Sequence, residues 1–360
     1  MRKGILSLMA LTTAAALSLT ACGDDGNDSG GGEAAKGKVG VILPDTASSP
    51  RWENFDRPYL EQAFKAAGIQ SDIQNAEGSA QRFQTIADQM LTSGVTVMLI
   101  TGLDSNSAAA VQRKAQAQGV KTIDYDRLTL GGVADYYVSF DNVKVGETMG
   151  AGLQKCLGDK DSNIVYLNGA PTDNNATLFA KGAHNVLDKV SNYKKVAEQP
   201  VPDWEAEKAA TIFEQMWTEQ HGKIDGVIAA NDNLGNAVIS ILKKNKRAGD
   251  IPVTGQDATV QGLQNILDGN QCMTVYKPTK QEADAAAKLA ISLIKGEKGE
   301  TTATEHDPVG KRDVPSVLLD PISVTKENVK KVVDDGSVKA ADLCKGAYAA
   351  KCEAAGITVQ

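Results

Sequence analysis

Asn168–Phe179 reads NGAPTDNNATLF, and it follows the apolar run Ile164-Val165-Tyr166-Leu167. Such a run has the composition of a buried strand. Gly169 and Pro171 turn the chain, and a helix is predicted from about Asp173. Asp173, Asn174 and Asn175 therefore stand where a strand ends and a helix begins. In open α/β sheets this is where ligands bind. An Asp beside two Asn supplies several acceptors and several donors within a short reach, which suits a polyhydroxylated ligand. The same residue types also cap helices and tolerate turns. The rest of the chain decides between the two roles.

Outward from this stretch, strands and helices alternate. Toward the amino terminus, apolar runs at Val39–Leu43, Ile69–Gln74, Val95–Ile100, Val120–Ile123 and Tyr137–Ser139 read as strands. The segments Trp52–Ala67, Ser79–Ser93 and Ser105–Gln118 between them read as helices. The rhythm then repeats. Helices are predicted over Val143–Leu157, Asn175–Val190, Glu205–Glu219, Leu234–Lys246, Thr259–Asp268 and Lys280–Lys295. Strands are predicted at Lys195–Ala197, Val227–Ala230, Val253–Thr254, Met273–Tyr276 and Val317–Leu319. Strands spaced by helices of this length imply βαβ units and parallel sheets. At 360 residues, two similar Rossmann-like α/β halves fit better than one large sheet.

The loops after these strands share one chemistry. Asp45, Arg51 and Trp52 follow the first strand, and Asp124, Asp126 and Arg127 the fourth. Asp173, Asn174 and Asn175 follow Leu167, Trp204 follows the strand near Val196, and Asn231 and Asp232 follow Ala230. Gln256 and Asp257 follow Thr254, and Lys277 follows Tyr276. All lie at carboxyl ends of strands and can converge on one cleft. Two flat indoles with a set of charged and amide groups match a pyranose, which has apolar C–H faces and a polar rim.

The termini and composition bound the setting. Arg2 and Lys3 precede an apolar run that ends Leu19-Thr20-Ala21 before Cys22. Residues 1–21 read as a secretory signal, too short for a stable membrane span. Residues 22–37 are rich in Gly, Asp and Ser and read as a flexible tether. A net charge of −7 argues against a nucleic-acid partner. Three scattered His give no metal cluster, and no cofactor motif occurs. Besides Cys22 there are Cys156, Cys272, Cys344 and Cys352, which allow three pairings in an exported chain. Cys344 and Cys352 can join only if the segment turns, since eight residues of straight helix span about 12 Å.

These blocks resemble the sugar-binding proteins of bacterial ABC transporters, which have the periplasmic-binding-protein type I fold, and most of all the D-xylose-binding branch. The resemblance rests on Tyr125-Asp126-Arg127, Ser139-Phe140-Asp141-Asn142, Pro171–Asn175, Asn231-Asp232, Gly255–Ala258 and Met273–Pro278. Leu19–Cys22 likewise resembles a lipobox, in which Cys22 carries the lipid. The resemblance implies that Trp52 and Trp204 sandwich a sugar. It implies that Arg51, Asp126, Arg127, Asp173, Asn175, Asn231, Asp257 and Lys277 bond its hydroxyls and ring oxygen. It implies two lobes, residues 38–140 with 277–308 and residues 141–276 with 309–331, followed by an extension at 332–360. Three hinge crossings are expected, near Phe140, near Tyr276–Lys277 and near His306–Arg312. The expected protein is a monomer tethered to the outer face of the cell membrane. It would close around D-xylose, glucose or another aldose and hand it to an ABC permease. Thr46–Pro50 and the tail depart from the family's pattern.

Other classes fit less well. No P-loop, H-E-x-x-H, G-x-S-x-G or C-x-x-C occurs. Asp126 and Asp173 could form a glycosidase pair, but the Arg, Lys and Asn around them favour ionised carboxylates. Repressors of the same fold carry an amino-terminal DNA-binding helix-turn-helix where this chain has a signal and tether. A sensor that passes the sugar-bound form to a chemoreceptor or kinase remains a second output.

Overall fold

The computed structural model describes residues 37–359. The signal, Cys22 and nearly all of the tether lie outside them. The first half runs β1 (Lys38–Leu43), α1 (Arg57–Ala66), β2 (Gln70–Asn75), α2 (Ala80–Thr92), β3 (Val97–Ile100), α3 (Ser105–Ala117), β4 (Lys121–Tyr125) and β5 (Tyr136–Phe140). The second runs α4 (Asn142–Leu157), β6 (Ser162–Asn168), α5 (Asn174–Leu187), β7 (Tyr193–Pro200), α6 (Ala206–Glu219), β8 (Gly226–Ala229), α7 (Asp232–Lys244), α8 (Val260–Asp268) and β9 (Thr274–Tyr276). The chain closes with α9 (Thr279–Ile294), β10 (Ala303–Asp307), β11 (Arg312–Leu319), β12 (Ile322–Val324), α10 (Lys330–Asp334), α11 (Ala340–Leu343) and α12 (Ala349–Ala354).

The first sheet has the order β10-β11-β5-β4-β3-β1-β2, parallel except for the β10–β11 pair. Its strand order reverses between β1 and β3, and such a switch point opens a crevice at the carboxyl ends. The second sheet has the core order β7-β6-β8. Single parallel bridges, Val227 to Val253 and Gln256 to Val275, carry it on to β9 and β12. The two halves thus repeat one winding. Val253–Thr254 was expected as a strand and makes only the bridge to Val227.

The crossings near Phe140 and Tyr276–Lys277 fall where the chain changes sheets. The third does not lie at His306–Arg312. Residues Arg312–Leu319 remain in the first sheet, paired with β5, and the chain reaches the other sheet only at Ile322. The unpredicted strand β10 causes the shift. Its antiparallel hairpin with β11 keeps the returning chain on the edge of the first sheet. Residues 309–319 therefore group with the first lobe, not the second.

The tail is folded onto α8. Val332, Val338, Leu343, Cys352 and Ile357 pack with Leu263, Ile266, Leu267 and Tyr276. The segment does turn: α11 and α12 are separate helices, so Cys344 reaches Cys352 with Cα atoms 5.7 Å apart. Cys156 pairs with Cys272.

Local sequence sets the helix starts. Side chains of Asp104, Asp141, Asp173, Asn231 and Thr259 each accept a first-turn N–H. Helices α4 and α5 pack backbone to backbone. A Cβ on Gly182 would lie 2.0 Å from the Val143 carbonyl oxygen, and one on Gly146 2.0 Å from that of Phe179. The close approach lets Asn142 Nδ2 donate to Asn175 Oδ1 at 3.0 Å. Gly182→Ala is expected to cost about 1–3 kcal/mol of stability, read as a lower urea midpoint at unchanged slope.

Candidate functional site

Arg51, Trp52, Asp126, Arg127, Asp173, Asn175, Trp204, Asn231, Asp257 and Lys277 all line one cavity, with about 310 Å³ of empty space. The sequence-predicted set is therefore brought together in full, from both sheets. Four further residues line it: Ser48, Ser49, Phe179 and Gln256. Phe179 reads in sequence as core, on the inner face of α5. The serines lie in the loop that departs from the family's pattern. Gln256 stood beside Asp257 in the strand-end inventory, so position was the signal for it.

Several of these residues sit in backbone conformations that side chains disfavour. Asp126, Trp204 and Asp257 have φ of +65°, +58° and +94°. Such strain persists only where the surroundings over-determine it, and it clusters at functional sites. Gly169 explains the seat of Trp204. A Cβ there would lie 2.0 Å from the indole ring, so only glycine lets the ring lie against the β6–α5 turn. Trp204 Nε1 donates to Asp173 Oδ2 at 3.2 Å, and Trp52 Nε1 donates to Ser48 Oγ at 3.1 Å. Both indoles are buried. Asp173 also caps α5 by accepting from Asn175 N.

Arg51 is held from below. Its Nε and Nη2 donate to Asp56 at 2.9 and 2.7 Å, Nη2 also to Glu282 at 2.6 Å, and Nη1 to Asp126 at 2.8 Å. Tyr125 Oη donates to Asp56 at 2.5 Å. The π-type turn over Trp52–Asp56 before α1 brings Asp56 back under Arg51. Glu282 could not be found from sequence, since it lies 231 residues away, and Asp56, only five residues on, is aimed at Arg51 by a turn that the sequence pattern reads as plain helix. Across the lobes, Arg127 Nε pairs with Asp173 at 3.0 Å, Asn175 Nδ2 donates to the Asp126 carbonyl at 2.9 Å, and Asn231 Nδ2 to the Ser48 carbonyl at 3.1 Å. Lys277 Nζ stands 3.3 Å from Asp257 Oδ1.

Charge follows from this packing. Burial pushes Asp126 up, but Arg51, Lys277 and Arg127 outweigh it and hold the carboxyl below its ordinary range. Burial pushes Asp173 up against the pull of Arg127. Burial drives Glu282 to about 8 despite Arg51, and its Oε1 has no hydrogen-bond partner. Asp232 is driven by burial to about 7. It accepts from Thr259 N, Gln271 and Thr274, each at 2.8 Å, which braces the Gln256–Asp257 turn. Gln256 Oε1 and Asp257 Oδ1 are buried without hydrogen-bond partners. Gln256 Oε1 is thus a buried orphan acceptor, which is uncommon, while Asp257 Oδ1 has only the Lys277 ammonium near it, and both residues line the cavity. The arrangement can hold a small ligand with several hydroxyls between two indoles. Among the described residues no His, Cys, Asp and Glu are gathered for a metal ion.

Residues 39–298 match the periplasmic binding protein domain family. The chain belongs to that family. This periplasmic binding protein is 35% identical over 303 residues to the D-xylose-binding periplasmic protein of Haemophilus influenzae, covering 83% of this chain and 90% of that one. It is 32% identical to the multiple sugar-binding periplasmic receptor ChvE of Rhizobium radiobacter, over 87% of this chain and 93% of that one. In structure it is similar to a carbohydrate transporter solute binding protein of Chloroflexus aurantiacus in complex with D-glucose. The TM-score is 0.78 at 29% identity, over 84% of this chain and 97% of that one. The type I fold and the expectation of a binding protein, not an enzyme, stand on this kinship.

Glu282→Gln isolates the buried cluster. A carboxyl raised on folding stabilises fully below its ordinary range near 4.5, and that stability is lost as pH rises through about 8. The wild-type protein should lose melting temperature between pH 5 and 9 more steeply than Glu282→Gln. Asp124 and Asp232, both near 7, slope both proteins alike, so the difference between the two melting curves is the readout.

Proposed function

We propose that this protein is the extracytoplasmic sugar-binding component of an ABC importer, and that it captures a monosaccharide between its two lobes. The observation that carries the reading is the cavity in which Trp52 and Trp204, from opposite lobes, meet charged and amide groups from five strand ends and the Gln256–Asp257 turn. Indoles match C–H faces, and ionised partners make the stronger hydrogen bonds to hydroxyls. D-xylose is the first ligand, supported by the D-xylose-binding relative. Glucose is the alternative, supported by the D-glucose complex of the structural neighbour. Binding closes the lobes about the three crossings, and the closed form is what the permease reads. Cys22 carries the lipid that holds the protein, as a monomer, on the outer face of the membrane.

A melting screen over pentoses and hexoses tests the ligand, since a bound sugar raises the melting temperature by mass action. Xylose should give the largest shift. Asp257→Ala should abolish most of that shift, while the free protein still unfolds cooperatively at a lower melting temperature because Lys277 loses its buried partner. Trp204→Ala should weaken xylose binding by about 1–3 kcal/mol in titration calorimetry. A wild type that shifts with no monosaccharide overturns the reading.

The anchor is tested separately. Cys22→Ser in the full chain should move the protein from the membrane fraction to the soluble fraction. Retention on the membrane would refute lipidation at Cys22.

A further inference from the structure

A second cavity, with about 940 Å³ of empty space, adjoins the first. Ser49, Arg51, Asp257 and Lys277 line both. The outer walls of the second differ in chemistry from those of the first. Pro50 and Phe55 come from the turn before α1, Val260 from α8, Tyr276 from β9 and Val338 from the carboxyl-terminal extension. Beyond the shared residues its lining contains no Asp, Glu, Lys or Arg.

The wall between the cavities is formed by the side chains that line both. It includes the Lys277–Asp257 pair at 3.3 Å, in which Asp257 Oδ1 has no hydrogen bond. The backbone there is strained, with φ of +94° at Asp257 and +50° at Ala258. The roof is fixed by contrast. Ser337 Oγ lies 2.5 Å from Tyr276 Oη, Gln264 Nε2 donates to the Leu343 carbonyl at 3.0 Å, and Cys344 and Cys352 are joined.

A sugar ring in the first cavity presents one edge to Arg51, Asp257 and Lys277. A substituent on that edge points to the second cavity. Asn54, Asn233, Asn236, Thr259, Gln261, Thr279 and Ser337 also line it, but the wall it leaves open is mostly apolar and carries no charge beyond the shared residues, so it matches a second ring of hydroxyls less well than the first cavity does. An apolar group is favoured by burial against Pro50, Phe55 and Val338. We propose that the second cavity receives the apolar substituent of a glycoside whose sugar ring occupies the first. The proposal rests on the sugar-binding reading above. It also gives the extension a task, as the wall of a pocket for the aglycone.

Titration calorimetry with xylose, glucose and their α- and β-phenyl glycosides tests it. At least one phenyl glycoside should bind within about tenfold, or about 1.4 kcal/mol, of its parent sugar. Asn54→Trp and Val338→Phe narrow the cavity from opposite walls. Each should weaken that phenyl glycoside about tenfold more than the parent sugar. Asn54 is exposed and accepts a larger side chain without disturbing the fold, so it decides alone if Val338→Phe does not fold. If the parent sugar binds and every phenyl glycoside fails, the proposal is overturned. It is also overturned if Asn54→Trp binds the phenyl glycoside as tightly as wild type. If neither xylose nor glucose binds the wild type, the sugar-binding reading itself fails, which is a different result.

Discussion

Arg51 is a cation buried under three carboxylates, and the site is built on that arrangement. A charge taken out of water is tolerated only when paired and hydrogen-bonded. Here one guanidinium meets Asp56, Asp126 and Glu282. The three come from the turn before α1, the end of β4 and the start of α9. The pairing therefore fixes three separate strand and helix ends relative to one another. Removing one partner of such a buried set costs about 3–5 kcal/mol, because it leaves a charge uncompensated. Burial pushes Glu282 up to about 8 although Arg51 and Lys277 pull it down, and its neutral form lightens the negative charge gathered around the guanidinium.

From this anchor the contacts lead across the cleft. Asp126 is held by Arg51 on one side and accepts from Asn175 of the other lobe. Arg127 reaches Asp173, and the Ser48 carbonyl accepts from Asn231 and Asn233. The lobes thus meet through polar groups at the cavity wall, not through a shared apolar core. The apolar clusters of the two halves remain separate. An interface of this kind gains little when its polar groups are equally well hydrated apart. A ligand that bonds to both lobes at once shifts that balance, which is the requirement for ligand-driven closure.

Much of this was legible in the chain. Alternating apolar runs and helical stretches specify parallel α/β halves, and carboxyl ends of strands specify where to look. All ten residues expected to touch the sugar line the cavity, but the rule over-selects: Asp45, Asp124, Asn174 and Asp232 also follow strands and do not line it. What was not legible has physical causes. β10 is TEHD-like and half-exposed, with no apolar pattern to reveal it, and so the third crossing was misplaced. Glu282 acts on Arg51 from 231 residues away, and Asp56 is brought under it only by the π-type turn over Trp52–Asp56, which no spacing rule reveals. Val253–Thr254 looks like a strand by composition, but its neighbours bend into the Gln256–Asp257 turn after one bridge.

Asp173 caps its helix, and the same carboxylate lines the cavity. Oδ1 caps α5 by accepting from Asn175 N, while Oδ2 accepts from Trp204 Nε1 and faces Arg127. Asn231 likewise caps α7 through Oδ1 and crosses the cleft through Nδ2. A cap pins a side chain to the first turn of its helix, and that removes rotamer freedom before any ligand arrives. Groups already fixed lose less entropy on binding. Residues that look ordinary for local structure are for that reason good ligand-directed groups, and local capping is what allows a loop-borne site to be rigid.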